Sequence, residues 1–105
     1  MLSPSEHSRL KQYIHGIDVN RLSAVFDALS EPNRCLIFRA LLKTRHANVT
    51  QLAEAVGISS SLASQHLKTL RDNNMVVRRK QGKAVYYDVN TADPLVDALS
   101  KVVEN

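Results

Sequence analysis

Residues 48–72, NVTQLAEAVGISSSLASQHLKTLRD, constrain this chain more than any other stretch. Two short amphipathic segments stand on either side of a single glycine, and few arrangements suit that pattern. Asn48 can cap a helix, and Gln51, three residues on, can reach back to the cap's own amide. Leu52, Ala53 and Val56 then share one face. Gly57 ends the helix, because glycine takes a left-handed conformation at little cost. Ile58 plugs the turn and Ser59 caps the next helix. Ala63, Leu67 and Leu70 recur at i, i+4 and i+7, the spacing of a buried seam. The expected helices cover about 49–56 and 60–72, and Ser60, Ser61, Ser64, Gln65 and Lys68 are left pointing outward.

That outward face is polar, and no acid lies in its first two turns. Small hydroxyls at a helix start allow close approach, and glutamine can make a two-pronged contact to adenine. Lys68 and Arg71 can hold phosphates. The stretch therefore reads as a helix-turn-helix whose second helix suits the DNA major groove. An ordinary helical hairpin with a solvated face would show the same apolar pattern, so the distribution of charge matters. The chain carries a formal net charge of +4. Between residues 57 and 84, Lys68, Arg71, Arg78, Arg79, Lys80 and Lys83 stand against Asp72 alone, whereas Asp88, Asp93, Asp97 and Glu104 outweigh Lys101 beyond that point. Positive charge concentrated in and just after the motif is the electrostatic footprint of a nucleic-acid binder.

A chain of 105 residues makes one small domain, 1–105, with a modest core that burial between subunits would help. Its apolar runs are too short for a membrane span. Met1-Leu2-Ser3-Pro4 lacks the basic start and apolar core of a secretory signal, and the lone Cys35 excludes an internal disulfide framework. A cytoplasmic protein is expected. A first helix, about 5–16, carries Leu10, Tyr13, Ile14 and Ile17 at helical spacing. The next opens at Asp18 or Asn20, with Leu22, Val25, Phe26 and Leu29 as its stripe. Ser30-Glu31-Pro32 reads as a stop and restart, with Ser30 as the cap. The following helix, Asn33 to about Lys43, should bury Leu36, Ile37, Ala40 and Leu41 as the central core element.

After Asn74 the period changes to that of a β-hairpin, about 75–89. Val85, Tyr87 and Val89 share one face, and Ala84, Tyr86 and Asp88 share the other. With Arg78, Arg79, Lys80 and Lys83 near its tip, the hairpin is expected to act as a wing along the sugar-phosphate backbone. A last helix, about 93–103, has Leu95, Val96, Leu99, Val102 and Val103 on an arc too wide for one neighbour. A second copy of the chain is the simplest partner. The expected fold is mainly α with a small β-hairpin: a dimeric winged helix-turn-helix.

The sequence resembles the ArsR/SmtB family of bacterial winged-helix repressors. The matching residues are Ala28-Leu29-Ser30-Glu31-Pro32-Asn33-Arg34, Gln51-Leu52-Ala53, Gly57-Ile58-Ser59, Ser64 to Leu70, and Arg79 to Lys83 followed by Tyr86-Tyr87. The resemblance implies a homodimer joined through the helices near 19–29 and 93–103, adding Leu22 and Phe26 to the interface. It also implies repression from a double-stranded operator, released by a signal. Ser60, Ser61, Ser64 and Gln65 match the family's major-groove positions, and His66 matches a histidine with a packing role. Two metal sites familiar in the family are not matched. Where one has a Cys-x-Cys pair, this chain has Asn48 and Thr50, poor zinc ligands. Where the other has Asp-x-His and His-x-x-His across the two final helices of the dimer, the chain offers Thr91-Ala92-Asp93, and no histidine follows His66. No cofactor is assigned, and a metal ion stays open only at a site other than these two. The remaining ligand candidates are Cys35, His7 and His15, for which a small core filler and two solvated imidazoles are the plainer readings.

Two other function classes compete. A winged-helix protein-interaction module without DNA binding would want acidic or apolar residues on the second motif helix and a neutral wing, the opposite of what stands here. An enzyme would want an assembled catalytic set, and four scattered histidines, one cysteine and no glycine-rich phosphate loop do not supply it. A metal or thiol-redox sensor with a non-standard site is a variant of the repressor reading.

Overall fold

Every helix of this chain begins where a polar side chain can satisfy its free amides. The computed structural model describes residues 1–44 and 46–105. Ser3 and Glu6 form a capping box at α1 (Pro4–Ile14), Asp18 caps α2 (Val19–Ser30), and Asn48 with Gln51 forms a second box at α4 (Val49–Val56). Ser59 caps α5 (Ser60–Asp72), and Asp93 caps α6 (Pro94–Glu104). At α3 (Pro32–Lys43) the cap is Glu31, not Ser30: its carboxylate accepts the Arg34 amide at 2.7 Å. Ser30 instead closes α2, its hydroxyl donating to the Asp27 carbonyl at 2.6 Å. The first helix stops at Ile14, short of Gly16.

Between α5 and α6 lie β1 (Val76–Gln81) and β2 (Ala84–Val89), paired antiparallel with Val76 opposite Val89 and Gln81 opposite Ala84. Side chains alternate along a strand and directly opposed residues share a face. Val76, Arg78 and Lys80 thus lie with Val85, Tyr87 and Val89. Val77, Arg79 and Gln81 lie with Ala84, Tyr86 and Asp88.

The core forms around α3, which touches α2, α4, α5, α6 and β2. Ile37, Phe38 and Leu41 are buried there, against Val25 and Ala28 of α2, Leu52 and Ala53 of α4, and Ala63, Leu67 and Leu70 of α5. Met75, Val76 and Val96 complete it. Leu36, expected inside, is 48% exposed, while Phe38 is fully buried. The neighbours of α3 crowd its Phe38 side, so the buried stripe is rotated by one residue. Val96 also corrects an expectation. It is fully buried within its own chain, so it cannot be an interface residue. A polar tie joins α2 to α6: Arg21 Nη2 donates to Asp93 Oδ2 at 2.8 Å. That bond holds the Asp93 carboxyl below its ordinary value.

No residue of α1 is buried. Leu10, Tyr13, Ile14 and the following Ile17 all face solvent. The radius of gyration is 17.4 Å, against roughly 13 Å for a compact chain of this length, and the longest dimension is 61 Å. The excess length fits a helix with no seat on its own domain. Among the described residues no helix is long and apolar enough to cross a membrane.

Gly57 gives a clean test of the turn inside the motif. Its φ is +83°, and an added Cβ would meet nothing within 4 Å. Gly57→Ala should therefore cost only the left-handed backbone penalty, about 1–2 kcal/mol. A urea titration should show a lower midpoint with an unchanged slope.

Candidate nucleic-acid interface

The second motif helix is anchored from below and bare above. Ala63, Leu67 and Leu70 are fully buried, which fixes the roll of α5 and turns Ser60, Ser61, Ser64, Gln65 and Lys68 outward, all exposed. Its start is held by Ser59, whose hydroxyl accepts the Leu62 amide at 3.1 Å. His66 adds a polar anchor on the buried side, with Nε2 at 3.4 Å from Glu31 Oε2. The Arg34 amide that Glu31 caps is the main reason its carboxyl lies below its ordinary value. One carboxylate thus starts α3 and steadies α5.

The sequence places the basic residues together, but the structure sorts them into tied and untied. Lys68 Nζ donates to Asp72 Oδ2 at 2.9 Å, one helical turn on. On the hairpin, Arg79 Nε donates to Asp88 Oδ2 at 3.1 Å. Arg79 was expected at the phosphates, yet strand parity puts it on the face of Asp88, toward a groove bearing Leu41 and Leu42. Arg78, Lys80 and Lys83 are exposed, and among the described residues no acid lies within ion-pairing distance of them. Gly82, at φ +61°, makes the tip from which Lys83 projects.

Asp88 and His46 were missed as partners of this surface. The signal was present in part: Asp88 and Arg79 fall at positions of like parity on a hairpin. His46 gave none, because its approach to Asp88 spans the fold.

The other candidate residues lie apart. Cys35 is partly buried on α3, while His7 and His15 are exposed on and just after α1. The Asn48 side chain is occupied by its capping bond to the Gln51 amide at 2.9 Å. Among the described residues no group of three or more His, Cys, Asp and Glu is placed to hold a metal ion. Of the apolar residues expected at a subunit interface, Phe26 (52% exposed) and Val102 (71%) are open. Leu22, Leu95, Leu99 and Val103 are half-buried.

Residues 31–77 match the family model described as bacterial regulatory protein, arsR family. Over 86 residues the chain is 35% identical to the nodulation protein NolR of Rhizobium meliloti, covering 82% of this chain and 66% of that protein. It therefore spans just under two thirds of that relative's length. It is 32% identical over 75 residues to the transcriptional repressor PagR of Bacillus anthracis, covering 71% of this chain and 73% of PagR. The homodimeric winged helix-turn-helix DNA-binding domain Mb0332 of Mycobacterium bovis superposes with a TM-score of 0.69. It is 28% identical, with 81% of this chain and 79% of that domain covered.

The Lys68–Asp72 pair should be visible in solution. The hydrogen bond from Lys68, before any longer-range attraction, holds the Asp72 carboxyl below its ordinary value. A pair this exposed adds little to stability. Carbon-detected NMR titration should place the Asp72 midpoint below that of a free aspartate, and Lys68→Met should move it back up. The sign follows from linkage: the folded form favours the ionised carboxyl, so the bond is intact above the ordinary aspartate value and is lost as pH falls through the lowered one.

Proposed function

The chain belongs to the ArsR family of bacterial regulatory proteins, and from that premise we propose that it is a sequence-specific DNA-binding repressor of transcription. It works as a homodimer in the cytoplasm and leaves its operator when a signal arrives. The observation that carries this reading is the exposed outer face of α5, with no acid in its first two turns, together with the untied cations of the wing. Ser60, Ser61, Ser64 and Gln65 enter the major groove. Serines at the leading end keep the helix close, and Gln65 reads an adenine edge. Arg78, Lys80 and Lys83 hold backbone phosphates beside it, which fixes register without reading sequence. Lys68 exchanges Asp72 for a phosphate on binding. PagR, a repressor by name, supports the direction of the effect.

The homodimer reading rests on apolar surface with no seat in one chain. Leu10, Tyr13 and Ile14 of α1, Phe26 of α2 and Val102 of α6 are exposed together with Ile17. Burying such a set stabilises association by roughly 25 cal/mol per Å² of apolar area, before the cost of ordering two partners. The comparable M. bovis domain is homodimeric. A dimer also presents two copies of α5 to a two-fold operator.

The releasing signal is proposed not to be zinc at either familiar family position. Asn48 and Thr50 offer no thiolate or imidazole, and the final helix offers Asp97 and Glu104 with the capping Asp93. Zinc favours nitrogen and sulfur ligands in about fourfold sets. A response to metal would have to be built on Cys35, His7 or His15.

Two measurements test the reading. In binding to a selected duplex, Gln65→Ala should lose on the order of 1–3 kcal/mol of discrimination at one base position while leaving random DNA almost unaffected. Arg78→Ala should weaken all sequences alike and reduce the salt slope by about one unit. Equal losses for Gln65→Ala on selected and random duplexes would refute the placement of α5. Sedimentation should show a dimer for the wild type, and Phe26→Glu with Val102→Glu should shift it toward monomer.

A further inference from the structure

The geometry points to Arg79, Asp88 and His46 as a latch that fixes the wing against the entrance to α4, with Asp88 as its positioning residue. The inference rests on the DNA-binding reading for its consequence, but not for its structure. Asp88 divides its two oxygens between separate elements. Oδ1 accepts the His46 backbone amide at 3.1 Å, and Oδ2 accepts Arg79 Nε at 3.1 Å. The same Oδ2 lies 3.3 Å from His46 Nδ1. The main chain repeats the link one residue along: the Tyr87 amide donates to the Ala47 carbonyl at 2.9 Å, an isolated antiparallel bridge. The His46 ring meets Tyr86 edge-on, with centroids 6.1 Å apart.

Two further features show that these contacts act together. His46 has φ +59°, a left-handed conformation uncommon outside glycine, and the Asp88 carboxylate accepts its amide there. The Asp88 side chain is only 20% exposed, so its charge needs partners, and its partners lie on both sides of the joint. Strand parity completes the case. Arg79 shares a face with Asp88, whereas Arg78 and Lys80 lie on the opposite face, so the carboxylate selects one cation of the run. The hairpin then projects at a set angle from the segment that starts α4, and α4 carries α5. Phosphate-binding Arg78, Lys80 and Lys83 are thereby held at a fixed distance from base-reading Gln65. Arg79 serves this joint and not the DNA.

Electrostatics alone and the latch predict opposite signs. Asp88→Asn removes a negative charge beside the DNA, which by itself tightens binding. Loss of the latch loosens the wing and weakens it. The test uses the full-length protein and a labelled duplex recovered from a random pool by the wild type. Asp88→Asn should bind about two- to fivefold more weakly, the scale of one partly exposed ion pair. Its salt slope should stay the same, because no phosphate contact is removed. Arg79→Gln should do likewise, and the double variant should be no weaker than the weaker single one. Independently of DNA, the His46 and Tyr87 amides should exchange with solvent several-fold faster in both variants. If Asp88→Asn does not fold, Arg79→Gln carries the same measurements. The latch is overturned by equal or tighter binding of Asp88→Asn, by a slope reduced by about one unit in Arg79→Gln, or by unchanged amide exchange. A wild type that retains no duplex overturns the DNA-binding reading instead, and the exchange rates then judge the latch alone.

Discussion

The packing of the α5 seam on α3 is the interaction on which the rest depends. Ala63, Leu67 and Leu70 meet a helix whose own Ile37, Phe38 and Leu41 are buried. Four other elements, α2, α4, α6 and β2, rest on that same helix. Interiors of this density resist the loss of even one methylene, so the roll of α5 is fixed to within a small angle. The polar face follows without further instruction, because residues between the seam positions have nowhere to go but outward. His66 tightens the arrangement by reaching the carboxylate that starts α3. A lost seam residue would therefore disturb recognition as well as stability.

A domain this small buries a limited share of its surface, and the structure shows where the shortfall lies. The apolar residues of α1 are not satisfied by their own chain, while α6 divides its stripe. Val96 goes inward, Val102 goes outward, and Leu95, Leu99 and Val103 lean on the core. Two helices thus hold half of a contact each. In the proposed homodimer a second copy would supply the missing halves at one stroke, and the symmetry this imposes would suit a two-fold DNA site.

Local signals made the motif legible in the sequence. The capping box at Asn48 and Gln51, the left-handed Gly57 and the Ser59 cap each involve residues within a few positions of one another, and all appear as read. The hairpin and the two faces of its second strand were legible from alternation for the same reason. What could not be read depends on which neighbours arrive from elsewhere. Leu36, expected inside, is left open while its neighbour Phe38 takes the buried position, because the elements around α3 cover its Phe38 side. Val96 turns inward because α6 settles on that same helix. Arg79 is drawn from a uniform basic run by Asp88, whose other partner, His46, lies far away in sequence. The unseated stripe of α1 was visible as a stripe, but periodicity cannot say which surface will cover it.

The difference between tied and untied cations changes what the basic run means. Attraction at a distance depends on net charge seen beyond a Debye length of roughly 8–10 Å, so a cation already facing its own carboxylate adds little to it. By that measure, in the proposed complex Arg78, Lys80 and Lys83 would draw the protein to DNA, while Lys68 and Arg79 would be close to silent until contact. Their carboxylates then act differently. Asp72 is exposed and one turn away, so Lys68 can leave it for a phosphate at small cost. The Asp88 side chain is only 20% exposed and holds the His46 backbone as well, so in the proposed latch Arg79 would stay with it. In the proposed complex, two ion pairs of similar length would thus play opposite parts, one yielding on contact and one holding the shape that contact requires. Burial of the carboxylate, not the distance across the pair, decides which is which.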